Sequence, residues 1–357
     1  MDDRERAIIP LSPLETHTAT ASELHSGCTP DDDPGTWQHA LRDAVRDVEV
    51  LGRILELPRD AFASLAARDD AFPLLVPQAF IAKMRKGDLF DPLLRQVLPA
   101  LAERDDAAGY GPDPLGEQSI AVHGMLHKYA GRALLIASGA CPVHCRYCFR
   151  RAFPYQAQLA ARADWSAALD TLRESSGISE VILSGGDPLS LSNRRLGALF
   201  ASLEQIASVE CVRIHTRFPI MIPQRVDGGL EALLSATRLR TVVVVHANHP
   251  AEIGADVAAA LRSLRSCVDL LLNQSVLLRG VNDSADTLTS LSTQLFASGA
   301  LPYYLHMLDR VAGAAHFAVD ERTGVELIDT LRARLPGYLV PRLVREIPGE
   351  LGKTPIA

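Results

Sequence analysis

The sequence predicts an α/β protein, a parallel barrel or part of one assembled from six strand-helix units, and three observations carry that prediction. Apolar, β-branched runs occur at Ala133–Ala137, Val181–Leu183, Val212–His215, Thr241–Val245, Leu270–Leu278 and Tyr303–Leu308, separated by helix-like stretches. From the second run onward they recur at about 30 residues, the length of a strand-helix-strand unit with a right-handed crossover. Polar or glycine-rich groups follow the runs one after another, and in such barrels the chemistry gathers at the C-terminal ends of the strands.

Each segment has its own local reason. Residues 1–35 are rich in Ser, Thr, Pro and Asp and show no sustained periodicity, so a mobile leader is expected there. Residues 36–130 read as a helical region. Within it Trp37, Leu41, Ala44, Val45, Val48, Leu51 and Leu55 recur at helical spacing, with Asp33 or Thr36 as cap, which predicts one core-packing helix. Proline punctuates a second helical stretch at Phe72-Pro-Leu-Leu-Val-Pro77 and Asp91-Pro-Leu-Leu-Arg-Gln-Val-Leu-Pro99, and Gly109 to Gly116 forms a turn-rich connector.

The barrel is expected over residues 131–330. The loop Cys141-Pro-Val-His-Cys145-Arg-Tyr-Cys148 follows the first run, Ser184-Gly-Gly-Asp-Pro188 the second, His215-Thr-Arg-Phe-Pro219 the third and His246-Ala-Asn-His-Pro250 the fourth. Asn273-Gln-Ser275 lies in the fifth run and Asp309 ends the sixth. Residues 331–357 form a C-terminal segment that contains Arg345-Glu346-Ile-Pro-Gly-Glu-Leu-Gly-Lys353-Thr-Pro355.

Composition narrows the function classes. The 357 residues are 47% hydrophobic, enough for an extensive core, and 36 basic against 43 acidic side chains give a net charge of −7. That balance, without a basic run, argues against nucleic-acid binding by phosphate neutralisation. No apolar stretch approaches the roughly 20 residues that span a bilayer, and Met1-Asp-Asp-Arg-Glu-Arg6 lacks the apolar core of a secretory signal. A soluble, cytoplasmic protein with reduced thiols is expected, in which Cys28, Cys211 and Cys267 are ordinary cysteines.

The clustered cysteines carry more chemistry. Thiolates are the preferred ligands of iron–sulfur clusters, and a four-iron cluster normally takes four of them, so three on one tight loop leave one iron open. A structural zinc site would instead close its tetrahedron with four protein ligands, and His144, between two of the cysteines, is the nearby candidate for the fourth. The spacing C-x3-C-x2-C, with Tyr147 before the last cysteine, resembles the signature of the radical S-adenosylmethionine (SAM) enzymes. That resemblance implies an open partial (β/α)6 barrel and a 4Fe–4S cluster held by Cys141, Cys145 and Cys148. The open iron would chelate SAM, and one electron would cleave it to a 5'-deoxyadenosyl radical. Ser184, Gly185, Gly186 and Asp187 match the motif that receives the SAM amino group, with Asp187 fixing the loop. His246, Asn248 and His249 either shape their turn or, with Gln274, hold the adenosine part.

A second resemblance covers about residues 37–355. The glycine-rich stretch before Lys353 is similar to the loop that carries the pyridoxal phosphate (PLP) lysine of the lysine 2,3-aminomutase family, and His127-Lys128-Tyr129-Ala-Gly-Arg132 matches that family's motif ahead of the cluster. It implies PLP on Lys353, Arg132 and Lys128 against its phosphate, and Tyr129 against its ring. Without the resemblance, Lys353 is a solvated charge and the other three begin a surface-facing strand. Arg150 matches the arginine that clamps the substrate carboxylate; a loop salt bridge is its plainer reading. Asp309 and Glu346 match the acidic pair that receives the ε-ammonium of L-lysine. Two carboxylates suit a dibasic substrate, because one ion pair at about 4 Å is worth roughly 4 kcal/mol at an effective dielectric near 20, before desolvation.

The free-lysine mutases carry aspartate where Glu346 stands and continue into a zinc-binding cysteine tail, whereas this chain stops at Ala357 and has Ser284 where a partner cysteine is expected. Those departures resemble the branch that makes (R)-β-lysine for elongation factor P. The implied reaction is an isomerisation that moves nitrogen from C2 to C3 of L-lysine, with an external one-electron reductant and a functional link to that factor and its lysylating enzyme. A free-lysine mutase serving metabolism or osmoprotection is the alternative within the class. An iron–sulfur electron carrier, which has no need of Lys353, is the alternative outside it.

Overall fold

A computed structural model describes residues 37–63, 66, 72–120, 124–155, 165–350 and 352–357, without the side chains of Ser119, Ile120 and Lys128. The expected leader 1–35 and the capping candidates Asp33 and Thr36 lie outside the described residues.

One sheet organises the chain. Its strands, in chain order and in spatial order alike, are β1 (Met125–Tyr129), β2 (Arg132–Ser138), β3 (Glu180–Gly185), β4 (Cys211–Thr216), β5 (Arg240–His246), β6 (Leu270–Val276), β7 (Leu301–His306), β8 (Arg342–Arg345) and β9 (Thr354–Pro355). β2 to β8 are parallel, while β1 and β9 run antiparallel at the two edges. Among the described residues no pairing joins β9 to β1, so the sheet is open.

Each of the six apolar runs is a strand, and helices bridge the parallel strands as the spacing predicts. The crossovers are Ser166–Glu174, Asn193–Glu204, Gly228–Ala236, Ala255–Ser266, Ala285–Ala297 and Glu321–Arg334. Several begin on a capping side chain: Asp227 accepts from Leu230 N at 2.7 Å, and Asp320 accepts from Thr323 N at 2.9 Å. The two-residue period of a strand divides the faces. In β4, Val212 and Ile214 are buried against the helices, whereas Arg213 and His215 face an interior cavity.

Several expectations need correction. The strands β1, β8 and β9 were not legible: β1 contains His127 and Lys128, β8 is short with arginine at both ends, and β9 contains Pro355. β8 extends the parallel sheet into the segment read as a separate C-terminal region. β7 stops at His306, so Asp309 stands three residues beyond the strand rather than at its end. The helix expected from Trp37 to Leu55 is two, Trp37–Arg42 and Val48–Ile54. Arg46 donates to the carbonyls of Leu41, Arg42 and Ala44, Val45 bridges to Val76, and Asp47 caps the second helix through Val50 N. No helix among the described residues is long and apolar enough to cross a membrane.

Candidate active site

A cavity of ≈ 250 Å³ opens where the parallel strands end. It is lined by Cys141, Cys145 and Cys148, by Ser184, Gly185, Gly186 and Asp187, by His246 and Gln274, by Tyr129 and Arg132, by Arg150, Asp309 and Glu346, and by Lys353. Glu117 and Lys353, at the two ends of the lining in sequence, would not meet without the curvature of the sheet.

The glycine pair builds the cysteine loop. Gly186 N donates to Ser138 O and Asp187 N to Ala140 O, both at 2.7 Å, tying the end of β3 to the residues just before Cys141. A Cβ on Gly186 would fall 2.5 Å from Ala140 O, and one on Gly185, whose φ is +113°, 2.5 Å from Ser138 O. Close backbone approach is therefore required by the chain itself. From the other side the N-terminal region braces the loop: His144 N donates to Leu75 O at 3.1 Å, Arg146 N to Gln96 O at 2.9 Å, and Phe72 stacks on His144 at 4.8 Å. Arg146, fully buried, donates to both oxygens of Glu103 at 2.8 and 2.6 Å, and Arg151 shares that carboxylate at 2.8 Å.

Burial, then the nearby Asp187 and the neighbouring sulfurs, pushes the Cys141 thiol well up, and burial with Cys145 pushes Cys148 up to about 11. Apolar crowding thus favours the protonated thiols until a cation replaces the protons. Among the described residues no three His, Cys, Asp or Glu side chains converge on a single point one metal ion could fill. A cubane takes its thiolates on separate irons.

Asp187 is an anchor. Its carboxylate accepts from Thr216 Oγ1 at 2.7 Å, Arg217 N at 2.6 Å and Leu189 N at 3.0 Å, and burial, partly offset by these bonds, raises its pKa to about 6. Arg150 faces the cavity but is held in a two-point pair with buried Glu117, Nε to Oε2 at 2.6 Å and Nη2 to Oε1 at 3.1 Å, while Nη1 donates to Ser184 Oγ at 2.9 Å. A salt bridge is thus part of what Arg150 does. Asn248 donates to the Tyr147 hydroxyl at 2.6 Å and accepts from Val276 N at 2.8 Å, and His249 accepts from Ala251 N at 3.1 Å.

At the opposite wall Lys353 Nζ donates to Glu346 Oε2 at 2.7 Å, and Glu346 Oε1 accepts from the Tyr129 hydroxyl at 3.0 Å. Arg132 stacks on the Tyr129 ring at 4.3 Å and lies near Gly352, the residue before the lysine. The pairing of β8 with β9 positions this end, since Arg345 lies opposite Thr354 and their neighbours are Glu346 and Lys353.

Between the two walls lie three buried histidines. Burial holds His246 down at about 3 and His215 and His306 well below the ordinary value, so all three are neutral; Lys353 acts in the same direction on each, and Glu346 opposes it at His306. Gln274 meets His246 Nε2 at 2.9 Å. By contrast His215 Nε2, His306 Nε2 and Arg132 Nε are buried without a hydrogen-bond partner, although each residue lines the cavity. Buried polar atoms normally find partners, so these three fit a wall completed by a polar ligand. Sequence reasoning passed over Glu117, Arg217, His215, Tyr304 and His306 as individual contributors. His215 and Arg217 stood in a strand-end segment already singled out, and Glu117 closes the turn 112–117, which belongs to the stretch of family resemblance.

No family model matches the chain. It is 47% identical over 319 residues to the L-lysine 2,3-aminomutase of Haemophilus influenzae, covering 89% of this chain and 94% of that protein. The chain belongs to the L-lysine 2,3-aminomutase family. The family member from Escherichia coli is 45% identical over 323 residues, 90% of this chain and 94% of its own length. That of Clostridium subterminale is 33% identical over 328 residues, 91% of this chain but 79% of its own length. Aminomutases of this family are isomerases, and their cofactors are a 4Fe–4S cluster, SAM and PLP.

Proposed function

We propose that the chain is an L-lysine 2,3-aminomutase that forms (R)-β-lysine destined for elongation factor P, and that its open parallel sheet is the partial barrel of the radical SAM type. The observation that carries this reading is a single cavity lined by both Lys353 and the three clustered cysteines.

When bound, the cluster with SAM supplies hydrogen-atom abstraction, and PLP supplies an aldehyde that takes up an amine and delocalises charge. The chain's own part is to hold, orient and exclude water. Cys141, Cys145 and Cys148 hold the cluster, with the Ser184–Asp187 turn fixing their loop. His246 and Gln274 offer a paired polar edge for an adenosine. Lys353 Nζ is the amine for PLP, and Glu346 Oε2 is within reach of its proton. Arg132 and Lys128 receive the phosphate and Tyr129 packs beside the ring.

In this structure the Lys353 ammonium occupies Glu346, and it stands in for the ε-ammonium of L-lysine. With PLP held at Lys353, Glu346 and Asp309 would face the ammonium of the substrate from the cavity wall. Arg150 meets the substrate carboxylate through Nη1, the edge that Glu117 does not engage. The assignment to elongation factor P is supported by Glu346, which departs from the aspartate of the free-lysine mutases.

Borohydride reduction of the PLP-loaded protein followed by peptide mapping tests the reading. A pyridoxyl label on Lys353 and conversion of L-lysine to the (R)-β isomer are expected. A label elsewhere would remove its basis. Incubation of the product with elongation factor P and its lysylating enzyme tests the destination, which fails if the free-lysine pool alone accepts it.

A further inference from the structure

Arg217 has no task in the reaction as described, yet it is among the most constrained side chains of the molecule. It lies just after β4, is 5% exposed, and projects against the cysteine loop. Nη1 donates to Cys145 Sγ at 2.7 Å and to the Tyr147 hydroxyl, Nη2 donates to Gln96 Oε1 at 2.8 Å, and Glu252 Oε2 lies at 3.3 Å. The backbone is fixed too, since Arg217 N donates to Asp187 Oδ2 at 2.6 Å.

Burying a guanidinium costs several kcal/mol unless it is well paired. Glu252, fully buried, is a divided counter-ion: its Oε1 already accepts from Gln96 Nε2, Asn248 N and His249 N, each at 3.0 Å. As a ligand of the bound cluster, the Cys145 sulfur 2.7 Å from Nη1 would supply the remaining negative charge. Reduction of a cluster bound there adds one more negative charge at a buried site, where a fixed cation in contact with a ligand sulfur favours the reduced state.

We propose that Arg217 is a redox-tuning residue: its contact with the Cys145 sulfur raises the reduction potential of the bound cluster, and Glu252 limits how much of that charge the cluster feels. The proposal rests on the reading that Cys141, Cys145 and Cys148 hold a 4Fe–4S cluster. In the step it governs, one electron passes from an external one-electron reductant to the cluster, and no bond forms or breaks. Lysine would keep the charge but lack the planar fork that reaches Cys145, Tyr147 and Gln96 together.

The test uses full-length protein reconstituted anaerobically with iron and sulfide. Wild type, R217Q, R217K and E252Q are assayed for iron, then titrated with dithionite while the EPR signal of the reduced cluster is followed. R217Q is expected to make reduction at least tenfold less favourable, a fall of about 59 mV for one electron. R217K should fall between, and E252Q should shift the midpoint upward. General loosening of the site would not move two variants in opposite directions. Wild-type midpoints in iron-loaded R217Q and E252Q, or shifts of the same sign, would overturn the proposal. If R217Q holds no cluster, the direction of the E252Q shift decides. A wild-type protein that takes up no iron would defeat the cluster reading itself, a distinct result from an unshifted midpoint.

Discussion

Replacing Gly186 by alanine is expected to disable cluster assembly without touching any proposed ligand. The added methyl would sit 2.5 Å from Ala140 O and 2.7 Å from Gly139 C. One backbone must retreat by about 0.9 Å to restore ordinary contact, and the two 2.7 Å bonds from Gly186 N and Asp187 N then exceed hydrogen-bonding range. Overpacking of this kind costs about 1–3 kcal/mol, and the two lost bonds about 1 kcal/mol each, or roughly 3–5 kcal/mol together. At about 2.1 cal/mol/K per residue, a chain of this length shifts its Tm by roughly 4–7 °C. Because the displaced Ala140 immediately precedes Cys141, iron content after anaerobic reconstitution should fall below half of wild type. Gly177 is the control, since a Cβ there meets nothing within 4 Å. Wild-type iron content and Tm in G186A would refute the argument that the glycine pair seats the cysteine loop.

Other perturbations separate the parts of the site. K353A should lose the borohydride-trapped pyridoxyl label while keeping wild-type iron, measured on one preparation. E103Q removes the charge that buried Arg146 and partly buried Arg151 share, and should cost about 1–3 kcal/mol in urea unfolding. The histidines impose a pH dependence on the cofactor-free protein. His246, held at about 3, and His215 and His306, also depressed, stay neutral when folded but are protonated in the unfolded chain below pH about 6.5. The unfolded state then binds more protons, so stability falls as pH drops from about 6.5 toward 3, by up to about 1.4 kcal/mol per pH unit for each histidine. Urea midpoints that do not move between pH 7.5 and 5 would contradict this.

The parallel strands β2 to β7 were legible because each carries an apolar, mostly β-branched or leucine-rich run against the helices, and because their spacing matches a helical crossover. The edge strands were not, since β1, β8 and β9 owe their pairing to the neighbouring strand more than to their own residues. At the site, the cysteine spacing and the glycines before Lys353 are local signals, readable without a fold. The partners that fix these residues are not local: Glu117 reaches Arg150 across 33 positions, and Gln96 reaches Arg217 across 121. The close backbone approach that requires glycine at 185 and 186 is likewise non-local, since it is made to Ser138 and Ala140 in the preceding loop. The broken N-terminal helix has the same lesson, because a bridge from Val45 to Val76 overrides a helical pattern that continues through it.

The claim on which the rest depends is that Lys353, as the proposed PLP lysine, and the cysteine loop serve one reaction in one cavity. Transfer of a label between them tests it directly: L-lysine deuterated at C3 is turned over anaerobically, and the recovered SAM is examined by mass spectrometry. Deuterium at the 5' carbon of SAM is the predicted result. β-Lysine formed with no deuterium in SAM would contradict the account.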